Sequence, residues 1–299
     1  KRYFQKNKYW NLKNLIFNEI CMNVINFFNS LSKKLFSLNR SLTGQGNIST
    51  LREIKKYIPK LKLIKFKSGT RIFDWKIPLE WNVKKAYILH IKSKKKFANF
   101  NENNLHLVSY SIPQKKILDK KDLVKKVYSI KNKPNLIPYV TSYYKRDWGF
   151  CLSHNQLKKM PKGKYNVLID SSLKSGHMIM GENYIKGKSK KEFFFSTNIC
   201  HPSMANNELS GILMCTALSN YISKKYKKNK LSYRFVFLPE TIGSLAYLSK
   251  KINYMKKNII GGFVISCVGD DGEFSHIESP YADNLSDRIL KLAFKNKKN

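Results

Sequence analysis

Acidic residues and arginine are both scarce in this chain. Of 299 residues only 19 are Asp or Glu, against 57 Lys or Arg, which gives a net charge of +38. Only seven of those cations are Arg. A basic excess of this size raises the question of a nucleic-acid or anionic-membrane partner. Planar, bidentate recognition of phosphate or guanine uses Arg rather than Lys. The lysines here run from Lys1 to Lys298 and gather on no one segment. With 29 Asn and many Ile, the composition matches what AT-rich codons supply. The charge therefore implies weak, salt-sensitive association with polyanions and no specific nucleic-acid partner.

Paired cysteines and long apolar runs are missing too. Cys21, Cys151, Cys200, Cys215 and Cys267 form no CxxC pair and no even framework, which fits a reducing, cytoplasmic setting. No signal peptide is recognisable, and no apolar run reaches the roughly 18–20 residues of a membrane span. The nearest approach, Leu12 to Phe36, is interrupted by Asn, Lys and Glu, with apolar residues three to four apart. It reads as amphipathic helix packed on the domain; a helix lying on a membrane surface is the alternative. The chain begins with Lys rather than Met, so either end could be cut short. Nothing in the sequence specifies an oligomeric state.

What is present falls into three textures. Arg40 to Asn47 is a Gly-rich turn, followed by a helix over about Ser49–Tyr57 capped by Asn47 or Thr50, then a strand over Leu61–Phe66. From residue 68 to 187 short alternating segments dominate: Arg71–Trp75, Ala86–Ile91, Leu105–Tyr110, Tyr165–Ile169 and Met178–Met180, with one helix at Lys121–Val127. From Glu192 three apolar runs (Glu192–Cys200, Ser232–Leu238, Ile259–Cys267) alternate with helical patterns over about Glu208–Tyr226 and Ile242–Lys256. Strand, helix, strand, helix, strand is the pattern of a parallel, doubly wound sheet. The expected organisation is an α/β domain, begun in 1–67 and continued in 188–299, with a β-rich domain inserted at 68–187.

Each of the three late strands ends in polar residues: Cys200-His201-Pro202, Pro239-Glu240-Thr241, and Cys267 followed closely by Asp270-Asp271. Parallel strands place those ends along one rim, where ligands of open α/β sheets gather. A His and two carboxylates converging there suit a hydrolytic metal site, with one carboxylate as ligand and another as general base. Each residue also has an ordinary use. A His after a strand is often a hydrogen-bonded core residue, and Glu240 complements the helix it precedes. Glu208 suits a helix start, and Asp-Asp-Gly is a turn. The aromatic clusters of the β-rich stretch, such as Trp81 and Trp148, line a groove or pack the core.

Several stretches then occur in a recognisable order: RSLTGQGN at 40–47, SGTRIFDWKIPLEWNV at 68–83, NNLHLVSYS at 103–111, IPYVTSYY at 137–144, WGFCLS at 148–153, ICHPSMANNELSG at 199–211, PETIGSLAYLSK at 239–250 and SDR at 286–288. Together they resemble the bacterial aminopeptidase-like family with DUF4910 and DUF2172 domains, related to the M28 zinc aminopeptidases. The resemblance implies an α/β fold with a doubly wound, mostly parallel sheet of zinc-peptidase type and an inserted β-rich domain. It implies a metal-dependent hydrolase of peptide or amide bonds, with a small peptide or amide-bearing substrate and a link to surface-polysaccharide biosynthesis. A non-catalytic binding member of the same family is the alternative, ahead of a basic nucleic-acid-binding protein.

Residue by residue, His201 stands at the family's first metal-binding His. Asn207 stands where an Asp bridges two metals, with Glu208 beside it, so the implied zinc content is one or two ions. Glu240 matches the region of the catalytic glutamate, without the second glutamate of typical zinc aminopeptidases. Asp270 lies near the acidic ligand after the third strand, a place Cys267 also suits. The family continues to a further metal-binding His and a winged-helix-like domain that nothing here matches, so a C-terminally incomplete fold is expected.

Overall fold

A computed structural model of the chain describes residues 24–225, 229–273 and 275–295. The part of the expected first helix over 12–23 lies outside the described residues. Residues 24–35 are helical (α1) and bury Leu31 and Leu35. After the Gly-rich turn comes α2 (Gln45–Tyr57), which buries Asn47, Thr50, Leu51 and Ile54, one face at helical spacing. Its N-cap is Gly44, at φ 96°, where a Cβ would meet the Trp81 carbonyl oxygen at 2.2 Å. Glycine alone fits that turn. Asn47 does not cap the helix. Its amide instead exchanges hydrogen bonds with the backbone of Ser41, fastening the turn across the helix start.

β1 (Lys62–Lys67) leads into short pieces: a hairpin of β2 (Arg71–Ile72) and β3 (Trp75–Lys76), then β4 (Glu80–His90), β5 (Lys96–Asn99) and β6 (Gln114–Asp119). A short helix α3 (Lys120–Val124), β7 (Val127–Tyr128), β8 (Phe150–Cys151) and helix α4 (His154–Lys158) precede the long β9 (Lys164–Lys174). β5, β4, β9 and β6 form an antiparallel sheet in that order. The expected strand over Leu105–Tyr110 is instead a 3-10 turn at Asn104–His106 followed by irregular chain. The Asn103 side chain accepts from Leu105 N–H there and opens the turn.

β10 (His177–Ile185), β11 (Glu192–Asn198), β12 (Ser232–Leu238) and β13 (Ile259–Val264) complete the strands. The central sheet runs β1-β10-β12-β11-β13. β11 pairs in parallel with both β12 and β13, as the apolar runs led us to expect. β10 is antiparallel to both β1 and β12, so the sheet is mixed. Met178–Met180, which reads in sequence as part of the β-rich stretch, thus belongs to the central sheet.

α5 (Ser210–Lys225), α6 (Ile242–Asn258) and α7 (Leu285–Lys295) are the remaining helices. α1, α2 and α5 cover one face of the sheet, over Phe235 and Phe237 of β12. α6 covers the other, over Val236 and Leu238, in a cluster continuous with Trp81, Ile88, Tyr165 and Val167 of the antiparallel sheet. Alternate residues of β12 therefore serve the two faces, as a doubly covered strand requires. Trp81 and Trp148 are buried, Trp81 stacked on Tyr110, so these aromatics pack the core. No helix among the described residues is long and apolar enough to cross a membrane.

Candidate metal centre

The three parallel strands end on one rim. Ile199 N–H continues the ladder to the Leu238 carbonyl, and Ile265 N–H to that of Ser196. Beyond those bonds the chains diverge. The segment after β11 curls: the N–H groups of Cys200 and His201 both donate to Glu208 Oε2, each at 2.7 Å. Successive N–H groups of an extended strand point to opposite sides, so their convergence on one oxygen marks a nest for an anion. Glu208 reaches it from a single turn of π-helix, Ala205–Leu209, that opens α5. π-turns are rare and recur at functional sites.

The other Glu208 oxygen accepts from Arg40 Nε at 2.9 Å, and the same nitrogen lies 3.0 Å from the His201 carbonyl. Both side chains of this ion pair are fully buried. Arg40 Nη1 donates to the Leu35 carbonyl of α1, whereas Nη2 is buried with no hydrogen-bond partner among the described residues. Glu208 Oε2 also stands 2.9 Å from His201 Nδ1. That is an ion-pair distance; the ring N–H is not aligned on the oxygen. A carboxylate behind Nδ1 leaves Nε2 as the ring's working nitrogen.

Nε2 lies 3.4 Å from Glu240 Oε2 and 3.9 Å from Cys200 Sγ. Cys200, His201 and Glu240 each offer one ligand atom, all within 4.8 Å of one another. Glu240 N–H donates to Cys200 Sγ at 3.2 Å. The Glu240 side chain is 55 % exposed and His201 only 11 %, so the group opens to solvent on the glutamate side. Thr241 at φ 56° and Ser203 at φ 47° hold left-handed backbone beside it. Non-glycine residues persist there only where surrounding structure compels them. Tyr139, from the loop before β8, packs edge-on against the His201 ring at 5.2 Å, and its hydroxyl meets that of Tyr143 at 3.0 Å.

The electrostatics follow from burial and the two carboxylates. Burial of His201 disfavours its charged form, but Glu208 and then Glu240 outweigh it, and the imidazole pKa is raised. Burial, then the Glu208 charge, push the Cys200 thiol well above its usual range. Burial raises the Tyr139 phenol as well, and that of Tyr143 to about 12, so both stay protonated donors.

The expected residues thus divide. His201 and Glu240 come together. Glu208 sits behind the imidazole, spent on Arg40 and two backbone N–H groups. Asn207 is exposed; its carbonyl accepts from Ser266 Oγ at 2.7 Å, and its side chain is not among the converging donors. Asp270 is exposed and accepts from Asn206 Nδ2 at 2.5 Å and from Gly272 N–H at 2.9 Å, outside the three-donor group. Cys200 and Arg40 carry parts of the arrangement that the residue reading did not assign. Cys200 was hidden because neighbours along a strand face opposite ways. Arg40 left one signal, its place in the RSLTGQGN stretch, 168 residues before Glu208.

A mixed α/β sheet covered by helices on both faces is an architecture that aminopeptidases share. Comparison with known proteins bears this out. The zinc aminopeptidase BSAP of Bacillus subtilis superposes with a TM-score of 0.53 at 11 % identity, over 82 % of this chain and 69 % of that one. The M28 peptidase precursor of Shewanella amazonensis gives 0.51 at 10 %, over 80 % and 69 %. A crystal structure of a candidate peptidase from Clostridium acetobutylicum gives 0.85 at 40 %, over 92 % of this chain and 65 % of that one. A C. acetobutylicum protein described as a candidate polysaccharide biosynthesis protein with an aminopeptidase-like domain is 42 % identical over 262 residues, 88 % of this chain. The chain spans 59 % of that relative's length. Residues 29–299 match the domain of unknown function DUF4910, and the chain belongs to that family.

Proposed function

We propose that this chain carries the site of a metal-dependent, aminopeptidase-like hydrolase that cleaves a peptide or amide bond in a small substrate. One observation carries the reading. An imidazole, held from behind by the buried Arg40–Glu208 pair, presents Nε2 within 3.4 Å of a half-exposed carboxylate on the sheet's carboxyl rim. The donors fit zinc, which takes imidazole, carboxylate and thiolate ligands in sets of three with an open position. His201 and Glu240 are the proposed ligand residues. A bound zinc ion supplies Lewis acidity to the scissile carbonyl and to the attacking water. Glu240, half exposed on the solvent side, would hold the ion through one carboxylate oxygen and accept a proton from an attacking water through the other, so it carries the general-base role as well. Tyr139 shields one flank of the imidazole from solvent. The polysaccharide-biosynthesis description of the C. acetobutylicum relative supports a substrate from surface-polymer assembly, such as an amide on a modified sugar or peptide.

The test is metal analysis of the purified chain, with hydrolysis of aminoacyl chromogenic substrates before chelation, after it, and after zinc is restored. Loss and recovery of hydrolysis, absent in His201→Ala, supports the reading. Turnover indifferent to chelation ends it. The placements of Asn207 and Asp270 favour a second reading, zinc binding without turnover, because neither adds a donor to the three-residue group. Stoichiometric zinc with no hydrolysis of any substrate would select it.

A further inference from the structure

We infer that the Cys200 thiolate is the third ligand of this centre, making it a one-ion site with sulfur, nitrogen and oxygen donors. The inference rests on the metal reading above and adds a ligand that the sequence pattern does not assign.

Two geometric features point to it, and the charge of the resulting ligand set agrees with them. The first is spacing. Ligands at about 2.0–2.3 Å in a tetrahedron lie about 3.3–3.6 Å apart. The observed separations from His201 Nε2 are 3.4 Å to Glu240 Oε2 and 3.9 Å to Cys200 Sγ. All three donors lie within 4.8 Å of one another, so binding one ion would draw them together by up to about 1 Å, with the half-exposed Glu240 side chain free to make most of the move.

The second is backbone direction. The curl that gathers the N–H groups of Cys200 and His201 onto Glu208 lets two sequence neighbours turn toward one site. The Glu240 N–H then aims at Sγ from the next strand. Hydrogen bonds of this kind stabilise a thiolate bound to metal.

The charge is consistent with both. Arg40 neutralises Glu208. Once bound, a neutral imidazole, one thiolate and one carboxylate would together carry two negative charges, which matches a divalent cation. The fully buried Cys200 sulfur shares a 4.8 Å neighbourhood with the His201 imidazole and the Glu240 carboxylate, an unusual setting for a cysteine acting only as a small apolar side chain. On binding, the Cys200 S–H proton is released to solvent as the sulfur–metal bond forms.

The experiment uses the intact chain loaded with zinc or cobalt. X-ray absorption at the zinc edge should find one sulfur scatterer at about 2.3 Å. Cobalt loading should give thiolate-to-metal charge-transfer absorption that vanishes in Cys200→Ser and persists in Cys267→Ser. Zinc affinity in Cys200→Ser should fall by more than the roughly 10–100-fold that loss of an outer-shell partner costs. Metal bound through nitrogen and oxygen alone would overturn the inference and leave the hydrolase reading standing. Absence of metal binding would overturn both. The zinc-edge measurement on the unaltered chain decides the matter even if Cys200→Ser does not fold.

Discussion

Replacing Glu208 by Gln changes one atom of the buried pair and should cost more than its size suggests. Oε1 faces Arg40 Nε at 2.9 Å, while Oε2 faces the N–H groups of Cys200 and His201, each at 2.7 Å. Gln carries one acceptor and one donor. Turned one way, its NH2 meets Arg40; turned the other, it meets two backbone N–H groups. Either orientation sets donor against donor and leaves the Arg40 charge buried without its counter-ion. Breaking a buried ion pair in this way costs about 3–5 kcal/mol. Against a total stability of about 5–15 kcal/mol, that is a large fraction. It corresponds to roughly 6–10 °C in melting temperature, at about 2 °C per kcal/mol for a chain of this size.

The assay is urea and thermal unfolding of the wild-type chain, Glu208→Gln, Arg40→Met and the double variant. In the double variant no cation remains, and Gln can turn its oxygen to the backbone. Its loss should therefore fall short of the summed single losses by about 1–3 kcal/mol. Single losses below about 1 kcal/mol, or strict additivity, would refute the account of Glu208 as the anion that organises the rim.

Two further outcomes are expected. Gly211→Ala places a Cβ 2.3 Å from the Ile265 carbonyl and 2.4 Å from Thr197 Oγ1, where the start of α5 lies against β11 and the residue after β13, so overpacking should cost about 1–3 kcal/mol in urea unfolding; an unchanged midpoint would show that the helix moves freely. His106 is buried with Nδ1 2.8 Å from the Cys151 carbonyl, and burial lowers its pKa below the unfolded value of 6.5. The unfolded chain therefore takes up the proton first: the contribution is full above pH 6.5 and is lost as pH falls through the folded pKa. His106→Gln should flatten the fall in urea midpoint between pH 7.5 and 5, and parallel profiles would refute the assignment.

Much of the scaffold was legible because its signals are local. Ser232–Leu238 reads as an apolar run and is β12; Ile242 begins a helical pattern and α6. The parallel run of β11, β12 and β13 follows from two helical crossovers between three apolar runs, whereas the placing of β11 between the other two does not. β10 was less legible for a physical reason. It is covered on both faces, so Met178 to Asn183 are all buried and show no alternation, and its antiparallel partners lie far off in sequence. At the rim, His201 and Glu240 were readable because strand ends predict their convergence. Cys200 was not, since its orientation depends on a curl set by Glu208, and the role of Glu208 depends in turn on Arg40.

That dependence ties the chemistry to the fold more closely than a set of surface ligands would. Arg40 Nε bonds both Glu208 and the His201 carbonyl, and its Nη1 reaches the Leu35 carbonyl at the end of α1. One guanidinium thus links the first described helix, the strand end that bears the imidazole, and the π-turn that opens α5. A π-turn places one more residue in the turn than an α-helix does, and here that turn brings a carboxylate against the strand end. An ordinary helical start would carry Glu208 about 100° around the axis, away from the two N–H groups. Conserving the charge while changing its reach should therefore disturb the site as much as removing it. In Glu208→Asp the shorter side chain cannot span Arg40 and the nest at once, so zinc affinity should fall by roughly 10–100-fold although no ligand atom has been altered. Unchanged affinity in a stably folded Glu208→Asp chain would mean that the imidazole is oriented by the backbone alone.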